Sequence, residues 1–214
     1  MSDANELFSD EEKDILQEVM NIAFGSATAD LAEVIDICVV LSIPQIKVIS
    51  AGELPDYIRN EMSDSNSEVN IVDQKFWGDF KGSGLLVFPA NSSKQIIRLF
   101  EQDIEAENMD KEQLDALENN SLTEVGNILI GACVGKISEL LKTFVTYSPP
   151  EVINSKSEEY KYMISSFDPD QSAIIMRTVF EFEQKNVNGF LLLLTNQDSI
   201  AWLRKSLNDF MESF

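Results

Sequence analysis

The pattern of apolar and polar residues is helical at two places in the chain. From Asp10 to Val34, apolar residues recur every three or four positions, as on the buried face of an α-helix. Ser9 and Glu12, at the start of this stretch, have the spacing of an N-terminal capping box. A second such stretch runs from about Leu117 to Phe144. We predict two long helices whose buried positions are Leu16, Val19, Met20, Ala23, Ala27 and Leu31 in the first, and Leu122, Val125, Leu129, Cys133, Ile137 and Leu140 in the second.

Apolar and β-branched runs after each long helix predict strands, whereas residues 51–74 are polar and turn-rich. Gly82-Ser83-Gly84 is interpreted as a turn, since a phosphate-binding loop would carry further glycine or lysine residues and would open a helix. The predicted strand regions are Val39–Ile49 around Pro44, the hairpin Trp77–Pro89, the extended stretch past Pro150, and the pair Ser172–Phe182 and Gly189–Thr195. Short helices are predicted with caps at Asn91 or Ser92 and at Asn196 or Asp198.

The two halves of the chain carry these elements in the same order. Residues 84–88 match residues 189–193 at an offset of 105. Strands joined by short turns favour antiparallel pairing, so we predict an α+β fold that is internally duplicated and pseudo-twofold, with helices packed on an antiparallel sheet. A single domain would contain two repeats, about 8–102 and 116–214, joined by the acidic segment Glu101–Glu118.

The charge of the chain limits its partners. It carries 37 acidic against 16 basic residues, a formal net charge of −21. Such a surface opposes binding to nucleic-acid phosphates and to anionic membranes. The N-terminus is acidic where a secretory signal would be basic and then apolar, and no apolar run is long enough to span a bilayer. We therefore expect a cytoplasmic protein.

The residue types present also limit the chemistry. The sequence has no histidine and two cysteines, Cys38 and Cys133. These counts exclude a Ser-His-Asp triad, a Cys-His pair, the usual histidine-containing zinc sites and a four-thiolate site. We expect both cysteines to be reduced and buried, with a nucleophilic thiol as the alternative, and we expect no metal site. Catalysis would therefore use carboxylates, amides, hydroxyls or lysine.

Both long helices carry the same polar strip opposite their apolar positions. A glutamate, an asparagine three residues later and a glycine four residues after that occur twice, 106 residues apart, and a proline follows each asparagine after 23 residues. At about 100° per residue these helix positions share a narrow arc of one face. The first strip is Asp14, Glu18, Asn21 and Gly25, followed by Pro44, and the second is Asn120, Glu124, Asn127 and Gly131, followed by Pro150.

A single strip of this kind would be an ordinary solvated helix face. Asparagine has a poor helix propensity, however, and an interior glycine costs roughly 1 kcal/mol relative to alanine. Both unfavourable choices recur at the same register in the two copies. The repetition favours a functional constraint on the strips.

The doubled strip resembles the signature of the CheC group of bacterial chemotaxis phosphatases, in the wider CheC, CheX and FliY family. The matching residues are Asp14-x3-Glu18-x2-Asn21-x22-Pro44 in the first copy, and Asn127-Ile128-Leu129-x-Gly131 with Ser148-x-Pro150-Glu151-Val152 in the second. Asn120 stands where the signature has Asp or Ser. We therefore expect the two sites to be unequal, with Glu18 and Asn21 ranked slightly ahead, although the residues around Glu124 resemble the family more closely.

The resemblance implies an enzyme that hydrolyses the aspartyl phosphate of a phosphorylated CheY-type response regulator. It gives Asn21 and Asn127 the role of holding the attacking water, which a loose phosphoryl-transfer transition state requires more than a strong base. It gives Glu18 and Glu124 a contact with a lysine beside the partner's phosphorylated aspartate. The chain would need no cofactor of its own, because the Mg²⁺ would belong to the partner.

The same residues leave alternatives open. Asp14 is expected to support the strip, whereas Gly25 and Gly131 fit either the close approach of a partner or close helix packing within the protein. The strips could also serve a non-catalytic binding or adaptor module, for a response regulator or for a CheD-type deamidase.

Two further expectations concern the C-terminal part of the chain. Because the sequence ends at Phe214, directly after the last predicted helix, we expect no additional C-terminal domain of the kind that flagellar-switch relatives carry. An apolar stripe on that helix is expected to be core, with an oligomer seam as the alternative, and the fused repeats favour a monomer. The stripe consists of Ile200, Leu203, Leu207, Phe210 and Phe214.

Overall fold

A computed structural model describes residues 8–35, 39–61, 68–89, 109–165, 172–182, 187–196 and 199–212 of the chain, together with the single positions 92, 95 and 97. The helices are α1 (Asp10–Ile35), α2 (Leu54–Glu61), α3 (Lys111–Leu140), α4 (Glu158–Ser165) and α5 (Ile200–Met211). The strands are β1 (Val39–Leu41), β2 (Gln45–Ser50), β3 (Val69–Gly78), β4 (Gly82–Pro89), β5 (Val145–Tyr147), β6 (Glu151–Asn154), β7 (Ser172–Phe182) and β8 (Val187–Asn196).

These strands form one antiparallel sheet, which confirms the predicted α+β class. Its order is β1-β7-β8-β4-β3-β5, with β2 also paired to β7 and β6 also paired to β3. Each half thus lends its first two strands to the third strand of the other half. The exchange is symmetric about the central pair of β4 and β8, which gives the pseudo-twofold arrangement. The two halves therefore share a single sheet.

Helices cover both faces of this sheet. Successive side chains of a strand point to opposite faces. On β4, Leu86 packs with α1, α3 and α5, whereas Leu85 packs with α2 and α4. Because both faces are covered, the strand is apolar on both sides, which accounts for the continuous apolar run Leu85–Phe88.

The first long helix follows its prediction. Ser9 and Glu12 form the expected capping box, in which the Glu12 carboxylate accepts from the Ser9 N–H at 2.8 Å and the Ser9 hydroxyl accepts from the Glu12 N–H at 3.1 Å. The predicted apolar positions of both long helices are buried, except that Leu140 is partly buried and the side chain of Leu31 lies outside the described residues.

The second long helix differs from its predicted bounds at both ends. It begins at Lys111 because Asp110 and Gln113 form a capping box of their own. It ends at Leu140, and Lys142 adopts the left-handed conformation at φ 53°, which stops the helix before Phe144. The repeat boundaries near residues 102 and 116 stay a prediction.

The shorter elements were less well predicted. The sequence did not indicate α2 or α4, because each buries few apolar side chains within a polar segment, Leu54 and Ile58 in the case of α2. Strand β3 begins at Val69, well before the predicted hairpin, since buried polar residues interrupt its apolar pattern. Ser199 is the N-cap of α5. Asp198, and most of the short helix predicted after residue 91 or 92, lie outside the described residues.

Two glycines establish how the repeats correspond in the hairpins. Gly82 pairs with Phe76, and Gly189 pairs with Phe180. A Cβ on either glycine would collide with a carbonyl oxygen of the neighbouring strand, that of Leu194 or Val87 respectively. The match of residues 84–88 with 189–193 is therefore wrong by two residues. The connection between the paired positions is longer in the second hairpin, which shifts the offset to 107.

Candidate functional site

The predicted strip on α1 lies on the outer face of that helix. Asp14, Glu18, Asn21 and Gly25 are all exposed. The apolar residues on the other side of the helix belong to the hydrophobic core between the helix and the sheet. The amide of Asn21 and the carboxylate of Glu18 are therefore accessible to a partner.

The strip on α3 is presented in the same way. Asn120, Glu124 and Asn127 are exposed, and Gly131 is partly exposed. Ser121, which stands one residue out of register with the first strip, is only 4% exposed. Asn120 is thus the residue that faces outward at the first position of the second strip. The two helices pack against each other on the sheet.

The strip glycines are not required by packing within the described residues. A Cβ added to Gly25 or to Gly131 would meet no atom within 4 Å. Gly126 on the same helix provides the contrast, because a Cβ there would collide with the side chain of Val72. Of the two explanations that the sequence left open, close helix packing is contradicted for Gly25 and Gly131. At each of these glycines the helix presents a surface without a side chain to the outside of the protein.

Each motif proline lies two residues after a serine that forms two hydrogen bonds with a neighbouring strand. Pro44 is buried between β1 and β2, and Pro150 is partly buried just before β6. Two residues before Pro150, the Ser148 N–H donates to the Lys75 carbonyl oxygen at 2.9 Å and the Ser148 hydroxyl accepts from the Lys75 N–H at 3.0 Å. Ser42, two residues before Pro44, repeats both bonds with Val179, at 2.8 and 2.9 Å.

One residue of the second site was missed by sequence reasoning. Gln74 on β3 donates from Nε2 to the Asn127 side-chain oxygen at 3.1 Å and to the Ser148 carbonyl oxygen at 3.1 Å. It is 2% exposed. Gln74 lies in the segment predicted to be turn-rich, so no periodicity placed it against α3. The sequence signal that could have found it is a glutamine flanked at two positions on either side by the apolar residues Val72 and Phe76.

The thiol and carboxyl groups outside the strips show two marked pKa shifts. Burial raises the pKa of the Cys133 thiol far above its usual range, so that thiol is an inert core group, as expected. Cys38 lies outside the described residues. Burial also raises the pKa of Asp73 to about 6, although Lys75 and a hydrogen bond from Ser83 act in the opposite direction.

Each strip thus offers a carboxylate and a neutral amide, but no hydroxyl, thiol or amine, to a partner that docks on it. Such a pair can orient a water molecule and form an ion pair, and it depends on a partner for the reactive group. Among the residues that the structure describes, no cluster of three cysteine, aspartate or glutamate side chains could hold a metal ion. None of the described helices is both long and apolar enough to cross a membrane.

Comparison with known proteins connects this geometry to a family. No family model matches the chain. A protein of Bacillus subtilis (strain 168), named CheY-P phosphatase CheC, is 28% identical over 145 residues, which cover 67% of this chain and 66% of that protein. The structure also resembles that of FliY from Thermotoga maritima, with a TM-score of 0.67 and 18% identity over 95% of this chain and 98% of that one. In sequence the chain is therefore similar to a CheC protein, and in fold it is similar to FliY.

The same fold also occurs in proteins with other names. A chain of the FliG-FliM complex from H. pylori matches with a TM-score of 0.58 and 14% identity, over 91% of this chain and 100% of that one. At such identities the likeness shows the fold alone. The sequence match to CheC spans slightly less than two thirds of that protein's length. The fold therefore does not by itself assign an enzymatic activity to the chain.

Proposed function

We propose that the protein is a phosphatase that hydrolyses the aspartyl phosphate of a CheY-type response regulator. The observation that carries the proposal is the exposure of two matching pairs, Glu18 with Asn21 and Glu124 with Asn127, at one register of two helices. The name of the B. subtilis relative, CheY-P phosphatase CheC, supports the same activity. A cytoplasmic location follows as part of the proposal, because such a regulator would have to be reached there.

The chemistry asks little of the phosphatase itself. An acyl phosphate is already activated, and the loose transition state of phosphoryl transfer needs a water held in line more than it needs a strong base. The side chain of Asn21 or Asn127 would enter the partner's active site and hold that water through its oxygen and its N–H groups. The Mg²⁺ that neutralises the phosphoryl oxygens would be bound by the partner.

The rest of each strip would hold the two proteins in register. Glu18 and Glu124 would each pair with a lysine beside the partner's phosphorylated aspartate, a charge-assisted contact that fixes orientation. Gly25 and Gly131 present helix surface without a side chain, and no packing requirement within the described residues explains them. They would allow the partner's backbone to approach the helix closely.

A phosphate-release assay tests the proposal. Wild-type protein added to phosphorylated regulator with Mg²⁺ should accelerate phosphate release, and Asn21→Ala combined with Asn127→Ala should return the rate to that of the regulator alone. Asn60→Ala with Asn208→Ala is a matched control, because both are exposed asparagines on other helices. Full activity in the variant that lacks both strip asparagines would exclude the mechanism.

A non-catalytic binding module is the second candidate. The common fold with a chain of the FliG-FliM complex favours it, since that name describes an assembly. In this case the protein would bind the response regulator, or a CheD-type deamidase, without changing the rate of phosphate release. A measured dissociation constant together with an unchanged release rate would support this candidate.

We also propose that the protein acts as a monomer. Leu203 and Leu207 of the α5 stripe are fully buried in the core, so they do not supply an oligomer seam. Sedimentation at several protein concentrations would test this, and a concentration-dependent dimer would contradict it.

A further inference from the structure

We propose that Gln74 is a positioning residue that fixes the amide of Asn127, and that the second site is therefore the preorganised and faster one. The inference rests on the proposed phosphatase function. It reverses the ranking expected from the sequence, which placed Glu18 and Asn21 ahead. It depends on the hydrogen bonds that join Asn127, Gln74 and Ser148.

The orientation of both amides follows from one carbonyl group. The Ser148 carbonyl oxygen can only accept a hydrogen bond, so the atom of Gln74 that faces it at 3.1 Å must be Nε2. The same Nε2 then has its second proton for Asn127, whose facing atom at 3.1 Å must be the acceptor Oδ1. Both N–H bonds of Asn127 are thereby left for other partners, together with one lone pair of Oδ1.

The Ser148 carbonyl group, which fixes the orientation of both amides, is itself held in place. Ser148 exchanges two hydrogen bonds with Lys75, the residue after Gln74 on β3. Gln74 is buried, with 2% of its surface exposed, so water does not compete for its amide. The orientation of the exposed Asn127 side chain is therefore determined by a strand on which the helix rests, rather than by solvent.

The first site repeats the hydrogen bonds between the serine and the strand, but it has no side chain in the role of Gln74. Thr178 corresponds to Gln74, because its hydroxyl donates to the Ser42 carbonyl oxygen at 2.6 Å while Ser42 pairs with Val179. The threonine side chain is too short to continue to the helix. Within the described part of the chain, no hydrogen bond reaches the side chain of Asn21. Its amide must be ordered when the partner binds, which costs conformational entropy.

The experiment leaves one site at a time intact and then removes the hydrogen bonds of Gln74. Gln74→Met keeps the volume and loses both hydrogen bonds. In an Asn21→Ala background, which leaves the second site, we expect kcat for phosphate release to fall about five- to tenfold with KM nearly unchanged. In an Asn127→Ala background, which leaves the first site, the added Gln74→Met should leave kcat unchanged. Without Gln74→Met, the Asn21→Ala protein should be the faster of the two backgrounds.

A matched control separates positioning from general loss of stability. Asn70 lies on the same face of β3 and donates to the α3 residue Glu118 at 2.8 Å without contacting Asn127. Asn70→Leu should leave kcat unchanged in both backgrounds. An equal fall caused by Gln74→Met in both backgrounds, or no fall in either, would overturn the inference.

A second measurement does not depend on activity. We expect ¹⁵N relaxation of the side-chain amides to show Asn127 more rigid than Asn21 in the wild-type protein, and the difference to disappear in Gln74→Met. Equal mobility of the two amides in the wild type would overturn the inference whatever the rates. If Asn127 is rigid but the protein does not accelerate phosphate release, the proposed function is refuted. The positioning of Asn127 by Gln74 would still be supported.

Discussion

Replacing Gly131 by alanine should stabilise the protein and at the same time weaken its action on the proposed partner. The new Cβ would meet no atom within 4 Å, so the change adds no clash within the described residues. Alanine in the interior of a helix is favoured over glycine by about 0.5–1 kcal/mol, because glycine loses more backbone entropy on folding. For a chain of this size, that gain corresponds to a rise in Tm of roughly 1–4 °C.

The functional effect should have the opposite sign. If the partner's backbone approaches the helix over Gly131, the added methyl group will obstruct that approach. In an Asn21→Ala background, which leaves only the second site, KM for the phosphorylated regulator should therefore rise. The assay combines thermal unfolding with phosphate release at several regulator concentrations.

A control on the same helix gives the contrasting result. Gly126→Ala would bring its Cβ into collision with the side chain of Val72, so we expect it to lower Tm. A lower Tm for Gly131→Ala would show that the space above this glycine is not open. A higher Tm with unchanged KM would refute the idea that the glycine serves partner approach.

Three further predictions concern the core and the sheet. Burial raises the pKa of Asp73 in the folded protein to about 6, from an ordinary value of 3.8. Ionisation of Asp73 therefore destabilises the folded protein above pH 6, and this penalty disappears as the pH falls towards 4. Asp73→Asn should therefore raise the free energy of unfolding at pH 8 by up to about 3 kcal/mol and have little effect near pH 4, as chemical denaturation would measure; an equal gain at both pH values would contradict this cause. In a Cys38→Ser protein, Cys133 should resist thiol reagents at pH 8 until the protein is unfolded, because burial keeps its thiol protonated; rapid labelling of the native state would show that it is accessible. Gly189→Ala should destabilise the protein by at least about 1 kcal/mol in denaturant titrations, since its Cβ would collide with the Val87 carbonyl oxygen, and an unchanged midpoint would disprove that close contact.

The sequence by itself determined the features that lie within one element. The strip containing Glu18 and Asn21, its apolar reverse side and its capping box all arise from the rotation of a single helix, so residue spacing was enough to place them on one face. The repeat at an offset of 106 then carried the same face to Glu124 and Asn127, which are equally exposed. The duplicated α+β class followed from the repeated order of elements.

Tertiary structure alone decided what depends on contacts between elements. The exchange of strands between the halves, the offset of 107 between Gly82 and Gly189, and the covering of the second sheet face by α2 and α4 depend on strand register and on the packing of distant segments. The contact of Gln74 with Asn127 joins residues 53 positions apart. Periodicity has no access to such a pair, because the register of β3 beneath α3 is fixed by the packing of the whole sheet.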